Sequence, residues 1–277
     1  MTEKTSGGVQ SVERVFELLE LITSARDEIS LSELAESAQL PLPTIHRLLR
    51  TLVSLDYVRQ LPNRRYGLGP RLIRMGEVAS RQLGAWARPY LANIVEQLGE
   101  TANMAILDGD MATYVAQAPS AHSMRMFTEV GRRVHTHDSG VGKAMLAQLD
   151  DTQVRDIVNR AGMPTPTEYS IATIDALLDE LARIRARGYA IDDNEQELGV
   201  RCFAVAVPNM PSLTAISVSG PLTRVDEHFA ERAIPVLTRA ADLIAATSRM
   251  HIKRPNPTPT IPSPPARDLS GYEISFP

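Results

Sequence analysis

In the stretch PTIHRLLRTLVSL, Thr44, His46, Arg47, Arg50 and Thr51 are interleaved with Ile45, Leu48, Leu49, Leu52 and Leu55. The apolar members recur every three or four residues, so they share one face of a helix and leave the polar members on the rest. Pro43 suits the first helical position, where its missing N–H costs nothing. No acid stands on the polar face. A short helix that buries one side and offers arginines, a histidine and threonines on the other is matched to an anionic partner, and its size fits the major groove of DNA.

Three further stretches carry residues able to do chemistry. Gly140-Val141-Gly142-Lys143 has some of a phosphate loop, but that motif needs a glycine at the position of His137 and a hydroxyl residue at that of Ala144. Cys202 paired with a histidine would make a nucleophile and base, yet His135 and His137 lie in a different segment. His135-Thr136-His137-Asp138 offers metal-binding types on an extended run, a pattern more common on ordinary surface. The expectation is a protein that is not an enzyme and needs no cofactor or metal. Cys202 is the single cysteine, which excludes an intrachain disulfide.

The elements that position the basic helix can be read around it. Val12, Val15, Phe16, Leu18, Leu19 and Ile22 mark an amphipathic first helix, ending before Ser24 to Asp27. Ser30-Leu31-Ser32-Glu33 has the form of a capping box and opens a short second helix. A turn from Gln39 to Leu42 then leads into the basic helix, which completes a helix-turn-helix. Two short extended runs, Tyr57 to Leu61 and Arg64 to Leu68, flank Pro62-Asn63 and read as a β-hairpin wing. Arg59, Arg64 and Arg65 on that wing are expected to hold phosphates, while Thr44, His46, Arg47 and Arg50 read base edges. Charge agrees: residues 40–75 hold seven arginines against Asp56 alone, although the whole chain is −4. A winged helix that binds only protein is the alternative.

Residues 70–86 form a linker helix with Leu72, Met75, Val78 and Ala79 on a stripe able to pair with a second copy. The wing domain is thus expected over 9–69 and a second domain over 87–250. In the latter, Thr101 to Leu107 and Met111 to Ala118 flank the hairpin signal Asp108-Gly109-Asp110. Met124 to Val130, Tyr189 to Asp192, Cys202 to Pro208 and Leu213 to Ser219 are further expected strands. Helices are expected over 88–98, from Gly140 through Leu149, over 152–159, over 173–187 and over 225–249. Strand pairs with intervening helices imply an α+β fold with a mostly antiparallel sheet. Residues 251–277 hold seven of the 19 prolines and no helical period, so they read as an extended tail. No apolar run approaches the ~20 residues of a membrane span, and MTEKTSGGVQ lacks a signal-peptide core, so a cytoplasmic location is expected.

Four stretches, LSELAESAQLPLPTIHRLLRTL, MRMFTEVGRRVHTHDSGVGKAMLA, RARGYAIDDNEQELGVRCFAVAV and AISVSGP, together resemble the IclR-type transcriptional regulators. That resemblance implies a winged helix-turn-helix joined to a GAF-like effector-binding domain. It also implies a homodimer or homotetramer on palindromic double-stranded operator DNA, released or recruited by a small carboxylate such as glyoxylate or pyruvate. Carried over position by position, the effector residues are Met126, Gly140, Val141, Asp192, Cys202, Ser217 and Ser219. Free N–H groups at Gly140 and Val141 would favour a carboxylate. Ser217 and Ser219 share one strand face and could donate twice. Asp192 would accept from a hydroxyl, and Met126 would supply an adaptable wall. Ser123, Val134 and Val200 depart from the family pattern, which implies a roomier pocket than glyoxylate needs. A second domain used only for assembly is the alternative.

Overall fold

The computed structural model describes residues 8–25, 28–126, 128–226 and 228–252. The expected first loop at Arg26 and Asp27 and the expected tail lie outside these. The chain forms two compact units that meet in sequence at Pro89 and Tyr90.

In the first unit, α1 (Gln10–Ser24), α2 (Leu31–Ala38) and α3 (Leu42–Ser54) close a small core around Leu18, Leu34, Ile45 and Leu49. The capping box opens α2: Ser30 Oγ accepts the Glu33 N–H, and the Glu33 carboxylate accepts the Ser30 N–H at 2.7 Å. Gln39 takes a left-handed φ of 51° and turns the chain into α3. The helix starts one residue earlier than Pro43, which takes a second position whose N–H also has no intrahelical acceptor. Two expectations fail at helix ends. Leu55 ends α3 and is 45% exposed. Val12 and Phe16 are also exposed, because only Leu18 and Ile22, in the C-terminal half of α1, are buried.

Strands β1 (Val58–Gln60) and β2 (Tyr66–Leu68) pair antiparallel to form the wing. Ile29 extends it by exchanging both backbone hydrogen bonds with buried Tyr66. The following helix, α4 (Arg71–Leu83), buries no residue and leaves Ile73, Met75, Val78 and Leu83 exposed.

The second unit is an α+β domain. Its sheet contains β3 (Thr101–Asp108), β4 (Met111–Ala118), β5 (Arg133–Val134), β6 (Ala190–Asp193), β7 (Val200–Val207) and β8 (Thr214–Pro221). The strand order is β5-β4-β3-β8-β7-β6, with every pair antiparallel. One face packs on α6 (Gly140–Leu146), with α7 (Asp151–Ala161) and α8 (Ile174–Arg187) behind it. The sheet meets α6 through Ala105, Ala190, Ala204 and Ala215, small residues that let the helix sit close enough to bury every one of its residues. The other face carries Met104, Phe203, Val205, Ile216 and Val218. It packs on α9 (Phe229–Ile252), with α5 (Arg88–Leu98) beside that helix.

Three local expectations are corrected here. The helix opened by Gly140 ends at Leu146. The closing helix begins at Phe229, where Asp226 Oδ1 accepts its N–H at 2.9 Å, not at Val225. Met124 to Val130 forms no strand, and Phe127 lies outside the described residues. Side chains tie that segment down instead of a ladder. Thr101 Oγ1 donates to the Met126 carbonyl at 3.2 Å, Gln117 Nε2 to that of Thr128 at 2.6 Å, and Arg224 to that of Met124 at 2.8 Å.

Candidate functional site

The first candidate surface lies on α3 and the wing. Burial of Ile45, Leu48, Leu49 and Leu52 turns His46, Arg47, Arg50 and Thr51 outward, with Thr44 half-buried beside them. Thr51 Oγ1 donates to the Arg47 carbonyl at 3.1 Å, so its hydroxyl is spent on the helix. Arg47, Arg50, Arg59 and Arg64 are exposed and form no ion pair among the described residues. Arg64 sits in the wing turn with φ 61°. Arg65 behaves differently from the expectation. Its Nε donates to the Glu28 carbonyl at 2.8 Å and its guanidinium pairs with Glu33 at 2.9 Å, which makes it a strut between wing and α2. Glu33 in turn is held below the usual carboxylate range, first by its Ser30 hydrogen bonds and then by Arg65.

The second candidate is a cavity in the other unit, under α6. Antiparallel register lines up Asp192, Cys202, Ser219 and Thr101 in one row across β6, β7, β8 and β3. A second row on the same face holds Ala204, Ser217, Asn103 and Gln117. A bulge opposite Met104 and Ala105 gives β4 the extra residue Val115, so both Tyr114 and Gln117 face this side. Tyr114, Met126, Asp192, Gln196, Glu197, Val200, Cys202 and Ser219 enclose a cavity of about 10 Å³, the space of one water. Gln196 also lines an outer cleft of about 340 Å³ that carries Arg132, Arg133, His135 and Asp138.

Four of the expected effector residues, Met126, Asp192, Cys202 and Ser219, therefore wall one cavity. The other three stand behind it. Gly140 packs against Cys202 so closely that an added Cβ would lie 2.9 Å from Sγ. Val141 is fully buried in the core that the sheet forms with α6, α7 and α8. Ser217 is fully buried in the second row, and its Oγ has no hydrogen-bond partner among the described residues. Val200, expected as a smaller wall than the family pattern has, lines the cavity, whereas Tyr114, Gln196 and Glu197 were not foreseen. Tyr114 reaches the cavity only through the bulge, which no sequence signal marks.

Charge in this region is buried and mostly paired. Lys143, fully buried on α6, is hydrogen-bonded to the Glu195 carboxylate. Asp192 Oδ1 accepts the N–H groups of Glu195 and Gln196 at 2.9 and 3.3 Å, fixing the start of the loop that covers the cavity. Burial, then the neighbouring Glu195, pushes the Asp192 carboxyl up to about 7. Burial likewise pushes the Cys202 thiol up to about 12, against the weaker pull of the Ser219 and Ser217 hydroxyls, so it stays protonated and is a poor nucleophile. His137 is spent on the Pro164 carbonyl at 2.9 Å. Lys143 is too deeply committed to Glu195 to serve a phosphate.

Comparison with known proteins decides the lineage. The pattern described as "Bacterial transcriptional regulator IclR C-terminal" matches residues 75–246, and the "IclR helix-turn-helix domain" matches residues 11–62. The chain belongs to the IclR family. It is 37% identical over 257 residues to the transcriptional repressor IclR of Escherichia coli K12, covering 90% of this chain and 94% of that one. The IclR-family regulator of Alicyclobacillus acidocaldarius superposes with a TM-score of 0.77 at 28% identity, over 87% of this chain and 99% of its own. An IclR homologue from Microbacterium hydrocarbonoxydans, solved with 4-hydroxybenzoate, shares the fold with a TM-score of 0.72 at 23% identity, over 87% and 99% of the two chains. An IclR-family chain is a DNA-binding transcriptional regulator and not an enzyme. The α3 residues and Arg59 fall in the first matched part and the cavity residues in the second, while Arg64 and Arg65 of the wing lie between the two.

Proposed function

We propose that this IclR-family regulator is a repressor that binds a palindromic operator as a homodimer or homotetramer and releases it when a small organic acid enters the cavity under α6. The observation that supports the acid site most is convergence. Met126, Asp192, Cys202 and Ser219 come from four separate segments and line one small, partly open cavity. The Ser219 hydroxyl on the cavity wall, and the N–H groups at Gly140 and Val141 behind Cys202 once the cavity opens toward them, are the donors for the carboxylate. Four arginines on α3 and the wing, with no ion pair among the described residues, supply the DNA contacts, Arg47 and Arg50 toward bases, Arg59 and Arg64 toward phosphates.

A cavity of about 10 Å³ cannot admit even glyoxylate without opening. Binding therefore requires the Gln196 to Val200 loop or the Met126 segment to move, and only a ligand that prefers the open arrangement can shift the population. A thermal-melt screen with glyoxylate, pyruvate and 4-hydroxybenzoate tests this reading. An acid at 100 times its dissociation constant should add about 2.7 kcal/mol. No shift with any of them would remove the support for the acid site.

A further inference from the structure

Beyond the cavity wall, the second polar row of the sheet holds two buried donors, Asn103 Nδ2 and Ser217 Oγ, that make no geometrically sound hydrogen bond among the described residues, although the Ser217 hydroxyl lies near enough to the Cys202 thiol to steady it weakly. Asn103 on β3 is 1% exposed and Ser217 on β8 is fully buried. They are direct partners across the β3–β8 ladder, so their side chains emerge side by side on the face that carries Asp192, Cys202 and Ser219. The Asn103 amide is oriented by its neighbour. Gln117 Nε2 donates to Asn103 Oδ1 at 3.2 Å and to the Thr128 carbonyl at 2.6 Å. Gln117 therefore takes up the acceptor end of Asn103 and leaves Nδ2 as the end without a partner among the described residues. A buried donor left unmade costs about 1–3 kcal/mol, and here two lie next to each other.

We propose that Asn103 Nδ2 and Ser217 Oγ form a second ligand subsite, which takes a carbonyl oxygen at the far end of the effector. Two donors suit the two lone pairs of one carbonyl. The acceptor is uncharged, because the charged side chains around the adjoining cavity are the carboxyls of Asp192, Glu195 and Glu197, and the one cation beside them, Lys143, is already paired with Glu195. Ser217 lies two residues along β8 from Ser219, roughly 6–7 Å at the rise of a strand. If Ser219 holds the carboxylate, the carbonyl stands two or more carbons beyond it, so the ligand class is a γ-keto acid or an acid of similar reach. The inference rests on the acid-sensor reading and names the part of the ligand that reading leaves open.

The test uses matched acids on the full chain: 4-oxopentanoate against pentanoate, with glyoxylate and pyruvate alongside, each by melt shift and calorimetry. The subsite predicts that 4-oxopentanoate binds the wild type about tenfold more tightly than pentanoate. Asn103→Asp keeps an acceptor for Gln117 but removes the donor, and Ser217→Ala removes the hydroxyl. Each should bring the ratio close to one. Equal binding of the two acids by the wild type overturns the subsite, as does a preference that survives both substitutions. If Asn103→Asp does not fold, as judged by its unliganded melt, Ser217→Ala alone decides. Binding of glyoxylate or pyruvate without any γ-keto preference leaves the sensor reading standing and sinks only this inference. No response to any of the four acids sinks both.

Discussion

The α3 and wing surface and the cavity under α6 treat polar groups in opposite ways. On the first, Arg47, Arg50, Arg59 and Arg64 stand in water with no ion-pair partner among the described residues. In the second, Lys143, Glu195, Asp192, Ser217 and Asn103 are taken out of water; the first three are held by one another or by backbone, while Ser217 Oγ and Asn103 Nδ2 are left without a partner among the described residues. Exposed cations attract any polyanion, and their effect falls as salt rises. Buried, oriented donors discriminate among small molecules and are hardly screened. On the function proposed above, the first region would serve reach and the second selection.

The largest effect expected from this contrast lies inside. Lys143→Met should cost about 3–5 kcal/mol of stability, because it leaves the Glu195 carboxylate buried and unpaired. Denaturant unfolding of the second unit's transition would show it, and Glu195→Leu in the same chain should restore much of the loss. A Lys143→Met protein as stable as the wild type would mean the pair is not truly desolvated.

Next in size is base reading on α3. Arg47→Ala should lose about 1–3 kcal/mol on a specific site and much less on random DNA if it makes a bidentate guanine contact. Arg64→Ala should weaken both alike and lower the salt slope by about 1. Equal losses on specific and random DNA for Arg47→Ala would move it to the phosphate-contacting class.

Asp192 gives a pH dependence of comparable size. Its carboxyl sits near 7, raised from 3.8, so the folded chain holds a proton there that the unfolded chain has lost. Stability from this group is present at low pH and declines as pH rises from about 4 to about 7. A carboxylate ligand nearby favours the protonated form further, so acid binding should weaken by up to about tenfold per pH unit above 7. Calorimetry at pH 6 and 8 checks it, and Asp192→Asn should flatten the profile. The smallest effect belongs to Arg65→Ala. As a half-exposed strut to Glu33, it should cost no more than about 1 kcal/mol of stability and leave the salt slope unchanged, unlike Arg64→Ala.

Much of this contrast could be read from sequence, for a physical reason. The α3 face is encoded by the local 3.6-residue period, and the Ser30 and Glu33 capping box by a four-residue pattern, so both emerge as expected. Failures occur where tertiary contacts override local pattern. Phe16 lies on a sound amphipathic stripe yet is 62% exposed, because α2 and β2 reach only the far half of α1. The run from Met124 to Val130 has strand composition, but Thr101, Gln117 and Arg224 side chains hold it as a loop. In the cavity, Asp192, Cys202 and Ser219 were accessible through family resemblance. Tyr114 on the cavity wall and Asn103 in the row beyond it were not, since their placement depends on a bulge and on cross-strand register between segments more than a hundred residues apart in sequence.

The most direct test of the whole account couples the two regions. Affinity for a selected palindromic site would be measured by fluorescence anisotropy with and without glyoxylate, pyruvate, 4-hydroxybenzoate and 4-oxopentanoate, in wild type and in Ser219→Ala. The account predicts that an acid which shifts the melt also lowers DNA affinity, and that Ser219→Ala loses both responses while still binding DNA. An acid that binds under α6 yet leaves DNA affinity unchanged would contradict the link between cavity and operator.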